Sequence, residues 1–170
     1  MNLAKTIQVL MPMLMSYTVA AHADWEWTTW GMRPEQVVAA SAGKARLATE
    51  EEIKTNTLKQ YDQVVRAAKA YAPFSMDGIA FDTWFYFDPK TDALMCVRLI
   101  PEKDASLKTI RNRLESTYGP ETTETHEKLF SAFWINKIIW SKTDEITLEY
   151  GGRGTSLEYC QQTSQPKIGN

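Results

Sequence analysis

The chain has 170 residues, 44% of them hydrophobic and 24% charged, with 19 Lys and Arg against 21 Asp and Glu for a net charge of −2. That is enough apolar material for one compact domain with a real core. The near-neutral balance excludes nucleic acid as an expected partner, because the basic residues are scattered and form no stripe.

Residues 1–23 read as a secretory signal peptide. Lys5 supplies the positive n-region, the run from Thr6 to Val19 is largely apolar, and Ala21-His22-Ala23 puts small residues at both positions a signal peptidase needs. Cleavage is expected after Ala23. The apolar run is short and interrupted by Pro12, so no stable membrane insertion is expected after cleavage. The product should be periplasmic or secreted, a single domain over 24–165 with a flexible tail at 166–170.

Trp25 and Trp27 flank Glu26 and are expected on one face of a short first strand, broken by Gly31. Pro34 then opens a helix that runs to Gly43. From Ala48 to about Arg66 a second helix is expected, with Glu50, Glu51 and Glu52 in its first turn and Ile53, Tyr61, Val64 and Val65 as its apolar stripe. After the Asp77-Gly78 turn, residues 79–88 and 93–100 read as a hairpin across Asp88–Asp92.

The best-marked helix follows. Asp104 is the expected N-cap, Leu107, Ile110, Leu114 and Tyr118 fall at helical spacing, and Gly119-Pro120 end it. Strands are expected within 128–142, at Ile146–Tyr150 and at Ser156–Cys160, with the Gly151–Gly154 cluster read as a hairpin turn rather than an anion cradle. Lys90-Thr91-Asp92 is echoed by Lys142-Thr143-Asp144, which leaves open a plan of two units, 24–101 and 102–161.

The segment Trp30-Gly31-Met32 with Pro34-Glu35 and Val37, the Phe85–Asp88 strand end, the spacing of Leu94, Val97 and Leu99, the helix closing in Tyr118-Gly119-Pro120 and the late Ile146–Tyr150 strand carry a resemblance. In these the chain resembles a broad group of small exported bacterial proteins. In general plan it is similar to the tandem helix-plus-sheet modules of β-lactamase inhibitory proteins and of small outer-membrane assembly lipoproteins. The resemblance implies the architecture and assigns no site residue. The lipidated cysteine of the assembly lipoproteins has no counterpart here.

Motifs for catalysis are missing: there is no Gly-x-Ser-x-Gly elbow, no His-Glu-x-x-His helix and no phosphate-binding loop. His126 is the sole histidine after the leader, so a His-rich metal site is excluded, and no cofactor is expected. It has Glu124 and Glu127 nearby in sequence and is read as a surface residue. Alternation puts Cys96 with Arg98 opposite Met95, Val97 and Leu99, and Cys160 with Glu158 opposite Leu157 and Tyr159. Both sulfurs thus leave the core on the same sort of face; a disulfide forms if those strands are neighbours, and two separate thiols remain if they are not.

Trp84 and Tyr86 alternate with Phe85 and Phe87. One face suffices for a core, so the other is either an aromatic surface, with Trp25 and Trp27 as further candidates, or is itself covered. The sequence is therefore read as an α+β domain, a mostly antiparallel sheet with helices on one face. The expected function is a non-catalytic binding module for an envelope protein or cell-wall glycan, using an aromatic sheet face or a cleft between units. The alternatives are a small hydrolase-related protein built on His126 and carboxylates, or an inhibitor of an exported enzyme.

Overall fold

The computed structural model describes residues 25–103, 105–129, 133–141, 144–152 and 154–162. The segment expected to be a signal peptide, the expected 166–170 tail and Asp104 lie outside the described residues. Helix α1 spans Pro34–Ala40, β1 Arg46–Leu47, α2 Glu50–Thr55, β2 Thr57–Gln60, β3 Gln63–Met76, β4 Ile79–Phe87 and β5 Leu94–Pro101. Then come α3 (Leu107–Tyr118), β6 (Thr123–Leu129), β7 (Phe133–Ser141), β8 (Asp144–Gly151) and β9 (Gly154–Gln161).

All strands join one antiparallel sheet in the order β1-β3-β4-β5-β9-β8-β7-β6, with β2 also on the outer edge of β3. The chain thus builds two four-stranded meanders, β2 to β5 and β6 to β9, whose last strands pair at the centre. In this layout the β4–β5 hairpin matches β8–β9. The repeated Lys-Thr-Asp motif instead falls in the β4–β5 and β7–β8 connections, so the echo does not align equivalent turns.

The core lies on one face of the sheet. A ladder of Ala70, Phe85, Val97, Tyr159, Ile146 and Trp140 runs across it through successive strand pairings. Helix α1 brings Pro34 and Val37 to this face, and α3 brings Ile110 and Leu114, all buried. Each fully buried aliphatic or aromatic side chain there contributes about 1.5–3 kcal/mol relative to exposure. The Trp140 indole donates to the Gly119 carbonyl at 3.0 Å, tying the end of α3 to β7.

The opening segment also packs on this face, but as turns and not as a strand. Glu26 has a φ of 51°, and Thr28 donates back to the Trp25 carbonyl. Only a short bridge is made, Gly31 to Leu94 and Leu94 to Met32. A strand would need two consecutive extended residues here, and the packing of Trp25 against Phe74 and Phe85 at 5.1 and 5.5 Å wins instead.

The long helix expected from Ala48 to Arg66 is corrected to one short helix and two strands. Thr49 and Glu52 form a capping box at the start of α2, and the Asn56 amide donates to the Glu52 carbonyl at its end. The expected apolar stripe is split: Ile53 stays in α2, Val64 and Val65 fall on β3, and Tyr61 sits with Asp62 in a two-residue hairpin turn closed by Gln60 and Gln63, with φ of 48° and 64° and Tyr61 93% exposed. At the start of α3 the cap is Ser106, which accepts from the Thr109 N–H. In β5, a bulge against Tyr86 and Phe87 puts Leu94 into the core and turns Met95 to the other face, contrary to the simple alternation expected.

Candidate functional site

The face of the sheet opposite α1 and α3 carries its own side-chain order. Reading across paired strands, Tyr71, Trp84, Arg98, Glu158, Thr147 and Ile139 form one row. A parallel row holds Ala68, Tyr86, Cys96, Cys160 and Glu145. Cys96 and Cys160 lie directly opposite each other on β5 and β9, with Cα atoms 4.1 Å apart, and form a disulfide. The pairing foreseen from alternation is present because the two meanders meet at these strands. The bridge, Tyr86 and Ala68 make a small second apolar cluster, packed by Leu58, Trp84 and Met95.

Arg66, from β3, lies over this cluster. One guanidinium nitrogen is 2.8 Å from the Cys96 sulfur, the other donates to both Glu158 carboxylate oxygens at 3.0 and 2.9 Å, and the carbon is 5.3 Å from the Tyr86 ring. Arg98 reaches Glu158 from the other side at 3.6 Å and donates to the Ser156 hydroxyl at 3.1 Å. Glu158 therefore sits between two arginines at the joint of the meanders. Burial holds the Tyr86 phenol above its ordinary range, so it stays neutral beside them.

Around this joint the face hollows into an open groove of about 870 Å³. Its charges are segregated. On the β2, β3 and β5 side stand Lys59, Arg66 and Arg98 around the single carboxylate Glu158. On the β6 to β8 side stand Glu127, Glu145 and Glu149 around Lys137, whose ammonium is 3.8 Å from Glu149. Among the described residues, none of those lining the groove is Trp, Tyr or Phe.

The aromatic residues singled out in the sequence do not share one surface. Trp25 is buried in the main core, and Trp27 packs partly buried against it with Lys44 above its ring at 5.5 Å. Trp84 and Tyr86 are on the opposite face, with Tyr86 buried and the Trp84 ring packed at a tilt against Tyr71, centroids 4.9 Å apart. His126 lies on β6, exposed, and its ring Nδ1 meets the side-chain oxygen of Asn136; its neighbours Thr125 and Glu127 line the groove. Among the described residues no group of three His, Cys, Asp or Glu could hold a metal ion.

Arg66, Lys59 and the acidic side of the groove were missed by sequence reasoning. Arg66 was assigned to a helix, where it would have faced solvent. The available signal was the alternation of Lys69, Tyr71 and Pro73 with Ala70, Ala72 and Phe74, which marks a strand. Neither a protein family nor a curated protein or solved structure matches the chain.

Proposed function

We propose that the protein is a non-catalytic protein-interaction module of the bacterial envelope, and that the groove on the face opposite α1 and α3 receives a segment of its partner. The segregated charge of that groove carries the reading. A polyanion is repelled by one half and a polycation by the other, whereas a polypeptide with basic and acidic residues in the complementary order is attracted along its length. The two ends of the groove also lie on opposite meanders joined by a disulfide, so its shape is held before binding and little ordering cost is added.

Export is part of the proposal. It is supported by the leader-like residues 1–23 and by the Cys96–Cys160 bridge, a cross-link that persists in oxidising compartments. The sequence resemblance in general plan to inhibitory and assembly modules favours the same reading, and an exported enzyme is within the partner class. A cell-wall glycan is disfavoured, because sugar rings stack on open aromatic platforms and the groove lining has none. A hydrolase built on His126 is disfavoured by its exposed pairing with an amide rather than an acid.

The test compares the wild-type protein with Lys59→Glu and Glu149→Lys, one at each pole of the groove, as bait against envelope extract and against purified cell-wall glycan. A protein retained by wild type, released by salt and lost in both variants supports the proposal. Retention that both variants keep, or retention on glycan alone, refutes it.

A further inference from the structure

The outer edge of β6 ends the sheet, and among the described residues no strand pairs with it. Its residues Glu124, His126, Glu127 and Lys128 are exposed, so this is an edge open to another strand. The charge order along it is symmetric in an informative way. His126 is the midpoint of Thr123–Leu129, with Glu124 two residues before it and Lys128 two residues after.

We infer that β6 pairs with β6 of a second copy of this chain, antiparallel and centred on His126, extending the two sheets into one. A two-fold axis perpendicular to the sheet is the symmetry that makes a strand its own antiparallel neighbour while keeping side chains on their proper faces. Such an axis passes through a residue, so the registers are few. With His126 on the axis, Glu124 of each copy faces Lys128 of the other, and Thr125 faces Glu127. Moving the axis to Glu127 sets His126 against Lys128, and moving it to Thr125 leaves Lys128 without its acid. The register with the greatest overlap is therefore also the one that pairs every charge on that face. A strand chosen only to repel neighbours would carry like charges at these two positions.

The surroundings fit the pairing. Glu124, His126 and Lys128 share the face of Asn136, Ile138 and Trp134 on β7. Lys128 stands opposite Trp134 of β7 with its ammonium 5.6 Å from the ring, which holds the lysine on this face of the edge strand. Glu124 accepts from the Tyr150 hydroxyl at 3.4 Å and lies 3.6 Å from Arg111, which is itself held closer by Glu115 and Glu121 at 2.8 and 2.7 Å; both contacts to Glu124 are long, so its carboxylate can also meet a cation across the edge. The interface is small, so the dimer is weak and concentration-dependent. It lies outside the groove lining apart from Thr125 and Glu127, and does not depend on what the groove binds.

The experiment is sedimentation velocity on the purified protein from low micromolar to near-millimolar concentration, with circular dichroism as a check on folding. Wild type should associate reversibly. Lys128→Glu and Glu124→Lys each set like charges opposite each other twice in a homodimer, and each should weaken association by about tenfold. An equimolar mixture of the two variants restores both attractive pairs in the heterodimer and should recover association. A wild type that stays monomeric throughout, variants that associate as wild type does, or a mixture no better than its components would each overturn the inference.

Discussion

Breaking the Cys96–Cys160 bridge should cost this domain a large part of its stability, because it closes a sequence separation of 64 residues at the one strand pair that joins the meanders. In the unfolded chain, loop-closure entropy for that separation amounts to about 4 kcal/mol at 25 °C, and measured disulfides of this kind contribute about 2–4 kcal/mol. For a domain of this length the melting temperature should fall by roughly 10 °C. The cleanest comparison keeps the sequence constant: denaturant unfolding of oxidised protein against protein reduced while unfolded, followed by tryptophan fluorescence. The reduced form should show a lower midpoint and a steeper denaturant dependence, since its unfolded state is more expanded. Both cysteines are only 2% exposed, so the native protein should resist dithiothreitol until it opens. Oxidised and reduced forms that unfold within about 0.5 kcal/mol of each other would refute the reasoning, since the cross-link would then not constrain the unfolded chain.

Other substitutions test the packing. At Gly151, φ is +145° and an added Cβ would lie 2.1 Å from the Trp134 carbonyl oxygen, so Gly151→Ala should destabilise by about 2 kcal/mol or more in thermal unfolding. Trp140→Phe removes the donor to Gly119 and leaves a void in a fully buried site; about 2–3 kcal/mol should be lost in denaturant titration. The Glu52 carboxyl is held down from 4.5 to about 2, first by the hydrogen bond from Arg46 and then by the Thr49 N–H. Its stabilising effect is therefore present above pH 4.5 and fades as pH falls toward 2, and NMR titration of Arg46→Ala should return the group toward its ordinary range.

Where local chemistry was decisive, the amino-acid sequence sufficed. Pro34 and Gly119 bound their helices, Asp77-Gly78 makes a two-residue turn, and the aromatic strand 79–87 pairs with the strand that follows and alternates as read up to the bulge at Met95. Alternation also put both cysteines on one kind of face. Whether they met depended on strand order, which local spacing does not encode: β5 and β9 are neighbours only because α3 crosses the core and the second meander returns to the first. The segment from Thr57 to Arg66 reads as part of a helix because Ile53, Tyr61, Val64 and Val65 can be set as one apolar stripe and Tyr61-Asp62 is an unusual pair for a tight hairpin turn. Tertiary pairing with β4 overrode that preference, and it brought Arg66 over the disulfide. The strand β6 was hidden for a related reason: an edge strand needs no apolar face, so Thr-Glu-Thr-His-Glu-Lys carries no hydrophobic period. The sequence alone determined where α1 starts and α3 ends, the Asp77-Gly78 turn, and that both cysteines leave the core on one kind of face. The groove, its opposed charges and the open edge exist only once the two meanders are joined, because each is assembled from residues far apart in the chain.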